Sequence, residues 1–282
     1  MCRLNPKVDF VFKKLFGSEE NKDLLIAFIN SILPENNQMK RIELKNPYNI
    51  SNYKKGKMTI LDIKAVDDQG TWYDIEMQIA EQGYYDKRAL YYWAKVYSDQ
   101  IESGVDFEKL RKTIAINILD FDYLDETEFH NAYGIYNRET NNEFSDLFDM
   151  HFIELSKFKK GYKELKTALD RWIAFLNRAY EIDKDHVPEE LAVDEKVKKA
   201  IEKLDIMYLE KDEREIYEND LKRLRIKKAE INAAELKGIE EGIEQGEYKK
   251  AREIAMNLLD VLDEETIAIK TGLTVQQIKD MK

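Results

Sequence analysis

The stretch TILDIKAVDDQGTWYDIEMQI, residues 59–79, decides the fold of this chain of 282 residues. Two runs of alternating residues flank Asp67-Asp68-Gln69-Gly70, the pattern of a β-hairpin. Asp62 and Lys64 share one face of the first strand, and Asp74, Glu76 and Gln78 share one face of the second. Turn length decides whether those faces coincide. A two-residue loop over 68–69 pairs Asp62 with Ile75 and sends Asp62 and Glu76 to opposite faces. A three-residue loop over 68–70 pairs Asp62 with Glu76 and Lys64 with Asp74. Gly70 falls where the longer loop requires a positive φ, so the three-residue register is preferred. Two carboxylates then stand side by side and repel unless a cation or a proton lies between them.

Outward from the hairpin the chain reads as alternating helices and strands. Residues 84–102 form a helix ended by Ser103-Gly104, and KTIAINILD (112–120) is a buried strand, β-branched and uncharged in its middle. A strand–helix–strand connection of this length predicts parallel pairing with the hairpin. Residues 129–136 and 148–155 extend the sheet as a second hairpin around the polar turn 137–143. Upstream, Asn5-Pro6 marks the start of a helix running to Phe16, where Gly17 ends it. Its apolar face is Val8, Phe12, Leu15 and Phe16, with Asp9 beside it. Asp9 reads either as a first-turn acid complementing the helix dipole or as a group that is paired or ligating. A second amphipathic helix runs from Ser18 to Pro34, and residues 41–44 read as a first strand.

Beyond residue 157 the chain is helical: 163–179, a further helix from Pro188, and a long run over 212–259. Within that run GIEEGIEQGE places Gly238, Gly242 and Gly246 four apart. This ladder reads as a docking face or a weak helix, with no catalytic meaning. The tail EETIAIKTGLTVQQIKDMK has helix-turn-helix proportions and reads equally as a small capping hairpin or a DNA reader. The expected division is 1–160 as the core, 161–230 as a helical extension and 231–282 as a C-terminal helical segment. The apolar faces of the C-terminal helices mark a candidate homodimer interface.

Composition sets bounds on function. With 43% hydrophobic and 36% charged residues, the chain is long enough for one large domain or two modest ones. A net charge of −11 argues against nucleic-acid binding through bulk charge but leaves room for a local basic groove. One cysteine, Cys2, excludes an intramolecular disulfide and fits a reducing compartment. No apolar run approaches the roughly 20 residues that span a bilayer, and the N-terminal stretch lacks a signal-peptide core. A cytoplasmic protein without a membrane partner is expected. His130, His151 and His186 lack the spacing of a zinc site or a nucleophilic triad and read as structural. No phosphate-binding GxxxxGK[ST] loop is present, so no NTP dependence is expected.

The hairpin residues can carry metal-assisted phosphodiester cleavage, which calls for oxygen ligands, a water activator and a cation near the developing phosphate charge. Asp62 and Glu76 would ligate the metal, with the Met77 backbone carbonyl as a third ligand. Gln78 can hydrogen-bond the attacking water or a ligand carboxylate but cannot supply positive charge; Lys64, across from Asp74, can. The competing reading is a polar strand face with a Lys64–Asp74 pair. On the following helix Arg88, Tyr92 and Lys95 fall at i, i+4 and i+7. They can contact a phosphate backbone, with tyrosine stacking on an exposed base, or they can belong to a packed aromatic helix whose bases reach to water. Tyr91 and Trp93 are expected to pack.

DFVFKKLFG, LDIKAVDDQGTWYDIEMQ, RALYYWAKVYSDQIESG and TIAINILDF occur in that order, and together they resemble the Rpn family of recombination-promoting nucleases and transposases. That family lies within the PD-(D/E)XK nuclease superfamily. The resemblance covers about residues 4–160 well, and the Gly-Ile-Glu ladder and short tail are similar to C-termini of this family. It implies an α/β, restriction-endonuclease-like mixed sheet flanked by helices, followed by an α-helical C-terminal region. It also implies cleavage of DNA dependent on Mg²⁺ (or Mn²⁺), linked to recombination or transposition. Matched residue by residue, Asp62 is the motif aspartate, Glu76 the second acidic ligand, and Asp9 the acid of the first helix. Gln78 occupies the motif lysine position, a departure that leaves Lys64 as the candidate substitute. The alternative is a weak or inactive nuclease fold acting as a DNA-binding or self-associating module.

Overall fold

A computed structural model describes residues 3–46, 62–80, 83–183, 186–205 and 209–281. The head of the quoted stretch, residues 59–61, and the loop before it lie outside the described residues. The described part divides into two compact units, Met1–Leu224 and Arg225–Lys282.

The first unit is built on a six-stranded mixed sheet. Its strands are β1 (Ile42–Leu44), β2 (Ile63–Asp67), β3 (Trp72–Gln78), β4 (Thr113–Leu119), β5 (His130–Tyr136) and β6 (Glu143–Glu154). Their spatial order is β1-β2-β3-β4-β6-β5. The outer pairs β1–β2, β2–β3 and β5–β6 are antiparallel, and the inner pairs β3–β4 and β4–β6 are parallel. The parallel β3–β4 pairing is the one the long connection between them predicts.

The β2–β3 hairpin adopts the three-residue register. Lys64 pairs with Asp74 and Ile63 with Ile75, so Asp62, one residue before β2, lies level with Glu76. Asp67 N–H donates to Thr71 O (3.0 Å), closing a loop of residues 68–70. Gly70 has φ +88°, the left-handed value that ends such a loop. Asp67 braces the turn: its Oδ1 accepts the N–H of Gln69 and of Thr71, and its Oδ2 accepts the Tyr73 hydroxyl.

Helices cover both faces. On one, α1 (Asp9–Phe16), α2 (Lys22–Ile32) and α4 (Ala168–Arg178) bury Phe12, Phe16, Phe28 and Trp172 against Ile63, Tyr73, Ile75 and Ile116. The Phe16 and Trp172 ring centroids are 5.7 Å apart. On the other, α3 (Tyr85–Ser98) lays Tyr85 and Ala89 over Ala115, Leu119, Met150 and Phe152. Trp93 packs here and donates Nε1–H to Thr113 O (2.8 Å). Tyr91 is exposed, contrary to expectation, because the helical period that turns Ala89 and Trp93 to the sheet turns Tyr91 away. Two short helices, α5 (Glu189–Ala192) and α6 (Glu195–Lys203), add Leu191, Val197 and Ile201 to the first core.

Several helix starts differ from the sequence reading. α1 begins at Asp9 rather than Pro6: Asn5 Oδ1 accepts the Lys7 N–H and Val8 is extended, which leaves Asn5-Pro6 in a separate turn. α4 begins at Ala168, where Thr167 and Asp170 form a reciprocal capping box. α3 ends at Ser98, short of residue 102. β6 begins at Glu143, well ahead of 148, and is partnered by β5 through an irregular register.

The unit boundary falls within α7 (Lys211–Leu258). In the second unit, α8 (Glu264–Thr271) and α9 (Val275–Lys279) are joined by Gly272 at φ +76°, with Thr274 capping α9. Ala255, Ile267, Leu273 and Ile278 form its core. Apart from chain neighbours and the backbone of their own helix, no described atom lies within 4 Å of where a Cβ would stand on Gly238, Gly242 or Gly246. The ladder is therefore open among the described residues.

Candidate active site

The chemistry gathers where β3 ends and β2 begins, at the carboxyl end of the parallel strands, where α/β sheets commonly place ligands. The hairpin register sets Asp62 beside Glu76. The Asp62 N–H donates to Glu76 Oε1 (3.0 Å), and Asp62 Oδ2 accepts the Met77 N–H (2.8 Å). From α1, Lys13 reaches the same place: its Nζ lies 2.9 Å from Asp9 Oδ1 and 3.0 Å from Asp62 Oδ1. Asp9, Asp62 and Glu76 are thus linked, with the Lys13 ammonium between the first two.

Alternation along β3 turns Asp74 and Glu76 toward α3, and both are almost fully buried, at 2% and 3% exposure. Asp74 Oδ1 has no hydrogen-bond partner among the described residues. Burial, then the charges of Asp62 and Asp74, push the Glu76 carboxyl well above its ordinary value. Burial and the Asp62 charge push Asp74 to about 7. Burial raises Asp62 too, against the opposing charge of Lys13. Burial works to lower Lys13, but Asp62 and Asp9 outweigh it and the net shift is upward, so the ammonium stays charged. This is a nest of carboxylates with too little positive charge around it.

The remaining sequence candidates are placed as follows. Gln78 Nε2 donates to Ala80 O (3.0 Å), and its Oε1 accepts from Arg88 (2.9 Å). Arg88 also lies 3.5 Å from Glu76 Oε2, with its guanidinium over the Tyr85 and Tyr92 rings. Arg88 is therefore turned inward onto the hairpin. Lys64 sits opposite Asp74 in the ladder, but its Nζ lies 5.1 Å over the Trp72 ring and 3.5 Å from Asp99. Lys95 is exposed and 3.9 Å from Asp99.

Sequence reading missed Lys13 as a member of the site. The only signal was its position four residues after Asp9, which reads equally well as a helix-surface ion pair. It also missed the convergence of His130 and His151, whose Nε2 and Nδ1 are 2.9 Å apart on β5 and β6.

A mixed sheet with helices on both faces and paired carboxylates at the end of a central hairpin defines the restriction-endonuclease-like nuclease fold. The sequence model of the PD-(D/E)XK nuclease family transposases matches residues 6–234, and the chain belongs to that family. No curated protein and no solved structure matches the chain. Nucleases of this class use a divalent metal. Among the described residues, no three acidic, histidine or cysteine side chains already converge as a metal-holding set; the Lys13 ammonium stands between two of the candidates. The donor chemistry nevertheless fits. The nest offers hard carboxylate oxygens, one of them buried without a partner among the described residues, as magnesium and manganese prefer. No helix among the described residues is long and apolar enough to cross a membrane.

Proposed function

We propose that this nuclease-family protein is a Mg²⁺- or Mn²⁺-dependent DNA endonuclease acting in recombination or transposition. The observation that carries the reading is the half-buried Asp62 set beside the buried Glu76, with the buried Asp74 two residues earlier on β3, in a site short of positive charge. Asp62, Glu76 and the Met77 carbonyl would hold the ion, with Asp9 from α1 as the further acidic group. When bound, the ion supplies charge neutralisation at the phosphate and lowers the pKa of a bound water.

The chain's own residues do the rest. The hairpin fixes Asp62 through the Met77 N–H, so the two strands move as one support. Arg88 holds the Gln78 amide and approaches Glu76, which orients both side chains at the mouth of the site. Hydrolysis forms a P–O bond from water and breaks the P–O bond to the leaving oxygen. One proton leaves the attacking water and one goes to the leaving oxygen. Lys95, exposed on α3, supports a phosphate-backbone contact. Self-association of the C-terminal helices belongs to the same reading, supported by exposed Leu236, Ile239 and Ile243 on α7.

The test is cleavage of plasmid DNA by the purified chain with Mg²⁺ or Mn²⁺, against EDTA and against Asp62→Ala. Cutting that requires the ion and is lost in Asp62→Ala supports the reading. Intact DNA with both ions, or equal cutting by the variant, overturns it. Light scattering at micromolar concentration that returns a monomer mass removes the self-association.

A further inference from the structure

We propose that Lys13, from the first helix, supplies the positive charge at the reacting phosphate that a lysine at position 78 would otherwise provide. The inference rests on the nuclease reading above and names a residue that reading does not assign. Position 78 carries an amide, which has no charge to offer, and both ends of that amide are engaged, on Ala80 and Arg88. Lys64, the nearest lysine in the strands, is drawn toward Trp72 and Asp99. Among the described residues, Lys13 is the cation the fold delivers to Asp62 itself, at 3.0 Å, on a side chain whose exposure is 10%.

The fold explains how a helix can replace a strand position. α1 is anchored by Phe10, Phe12, Leu15 and Phe16, all buried in the core under β2 and β3. A long side chain from that helix reaches past the sheet face to the strand ends, where Asp62 and Glu76 project. Asp9, one turn earlier, holds the ammonium from the other side at 2.9 Å. The charge is thereby preorganised, which is what makes a fixed cation effective where negative charge develops. No proton and no covalent bond moves at Lys13. Its work is electrostatic, on the phosphate oxygens.

The test uses the full chain, with Lys13→Met as the uncharged replacement. The proposal expects this variant to remain folded by circular dichroism and to bind Mn²⁺ in calorimetry at least as tightly as wild type. Its single-turnover DNA cleavage should fall ~100-fold, the scale of losing one preorganised charge partner. Adding Gln78→Lys to Lys13→Met should recover ~10-fold or more, because a charge returned from the strand reaches the same phosphate. Cleavage by Lys13→Met within about 3-fold of wild type overturns the proposal, as does loss of Mn²⁺ binding or a double variant no faster than the single. Should Lys13→Met fail to fold, Gln78→Lys alone decides: a change below about 3-fold supports a site already supplied with its cation, and a large acceleration overturns it. A wild type that leaves DNA intact brings down the nuclease reading itself, whereas an active wild type with an equally active Lys13→Met brings down only the role of Lys13.

Discussion

Lys13 Nζ stands 3.0 Å from Asp62 Oδ1, while the other oxygen of the same carboxylate accepts the Met77 N–H at 2.8 Å. One side chain therefore ties the first helix to both strands of the central hairpin. Asp62 is a ligand candidate and a structural clasp at once. Removing its charge releases Lys13 as well as any ion.

Glu76→Gln separates the two roles more cleanly. The amide oxygen can still accept the Asp62 N–H, and the like charge beside Asp62 and Asp74 disappears. The variant is expected to be more stable than wild type without divalent ions, by about 1–2 kcal/mol at neutral pH. Its DNA cleavage should fall by a factor on the order of 100 or more. Thermal melts in EDTA beside a cleavage assay check both. A variant that is less stable, or as active as wild type, contradicts the assignment.

A divalent ion should stabilise the wild type, because it neutralises carboxylates that burial leaves in conflict. At an ion concentration ten times Kd the gain is about 1.4 kcal/mol, roughly 3–6 °C in Tm for a unit of this size. Glu76→Gln should lose most of that increment. Differential scanning fluorimetry with Mg²⁺, Mn²⁺ and EDTA measures it, and an identical increment in the variant would place the ion elsewhere.

The sequence reveals the hairpin because its signals are local. Strand alternation fixes which residues share a face, and Gly70 fixes the loop length, so the pairing of Asp62 with Glu76 follows from a dozen neighbouring residues. The parallel β3–β4 pair follows from the length of its crossover. Lys13 is different. Its helix position predicts a pair with Asp9, but its approach to Asp62 depends on how α1 packs under the sheet, which no local pattern encodes. Arg88 shows the same limit: an i, i+4, i+7 stripe points it to solvent or to DNA, whereas packing of α3 on β3 turns it onto Gln78. His130 and His151 look scattered until the β5–β6 register brings them together.

Gly70 carries the register in one residue. Its φ of +88° is strained for any side chain, although the atoms nearest a Cβ there belong to the Arg111 side chain at ordinary contact distance, Cγ at 3.6 Å. Gly70→Val should therefore cost about 1–3 kcal/mol through backbone strain alone. Deleting Gly70 shortens the loop to two residues and turns Asp62 and Glu76 to opposite faces. That deletion should abolish cleavage and divalent-ion stabilisation together, even where circular dichroism still reports a folded chain. A deletion variant that cuts DNA at the wild-type rate would show that the side-by-side carboxylates are not the reacting centre.

The histidine pair makes a pH-dependent contribution away from the carboxylate nest. Burial, then the neighbouring His151, lower His130 to about 4, against the opposing pull of Asp149. His151 Nε2 lies 3.2 Å from Asp149 Oδ1, and Lys112 pairs with the same carboxylate. Between pH 4 and the unfolded value near 6.5, the unfolded chain binds a proton that the folded one refuses. The stability associated with neutral His130 is therefore complete above about pH 6.5 and is lost as pH falls toward 4. Allowing for its partial exposure, the loss is about 2 kcal/mol. Other groups titrate in the same range, so the comparison is with His130→Gln, which keeps a hydrogen-bonding side chain but takes up no proton. Urea unfolding at pH 7 and at pH 4.5 should show a smaller drop in stability for the variant than for wild type. Parallel drops would mean that His130 is as easily protonated in the folded chain as in the unfolded one.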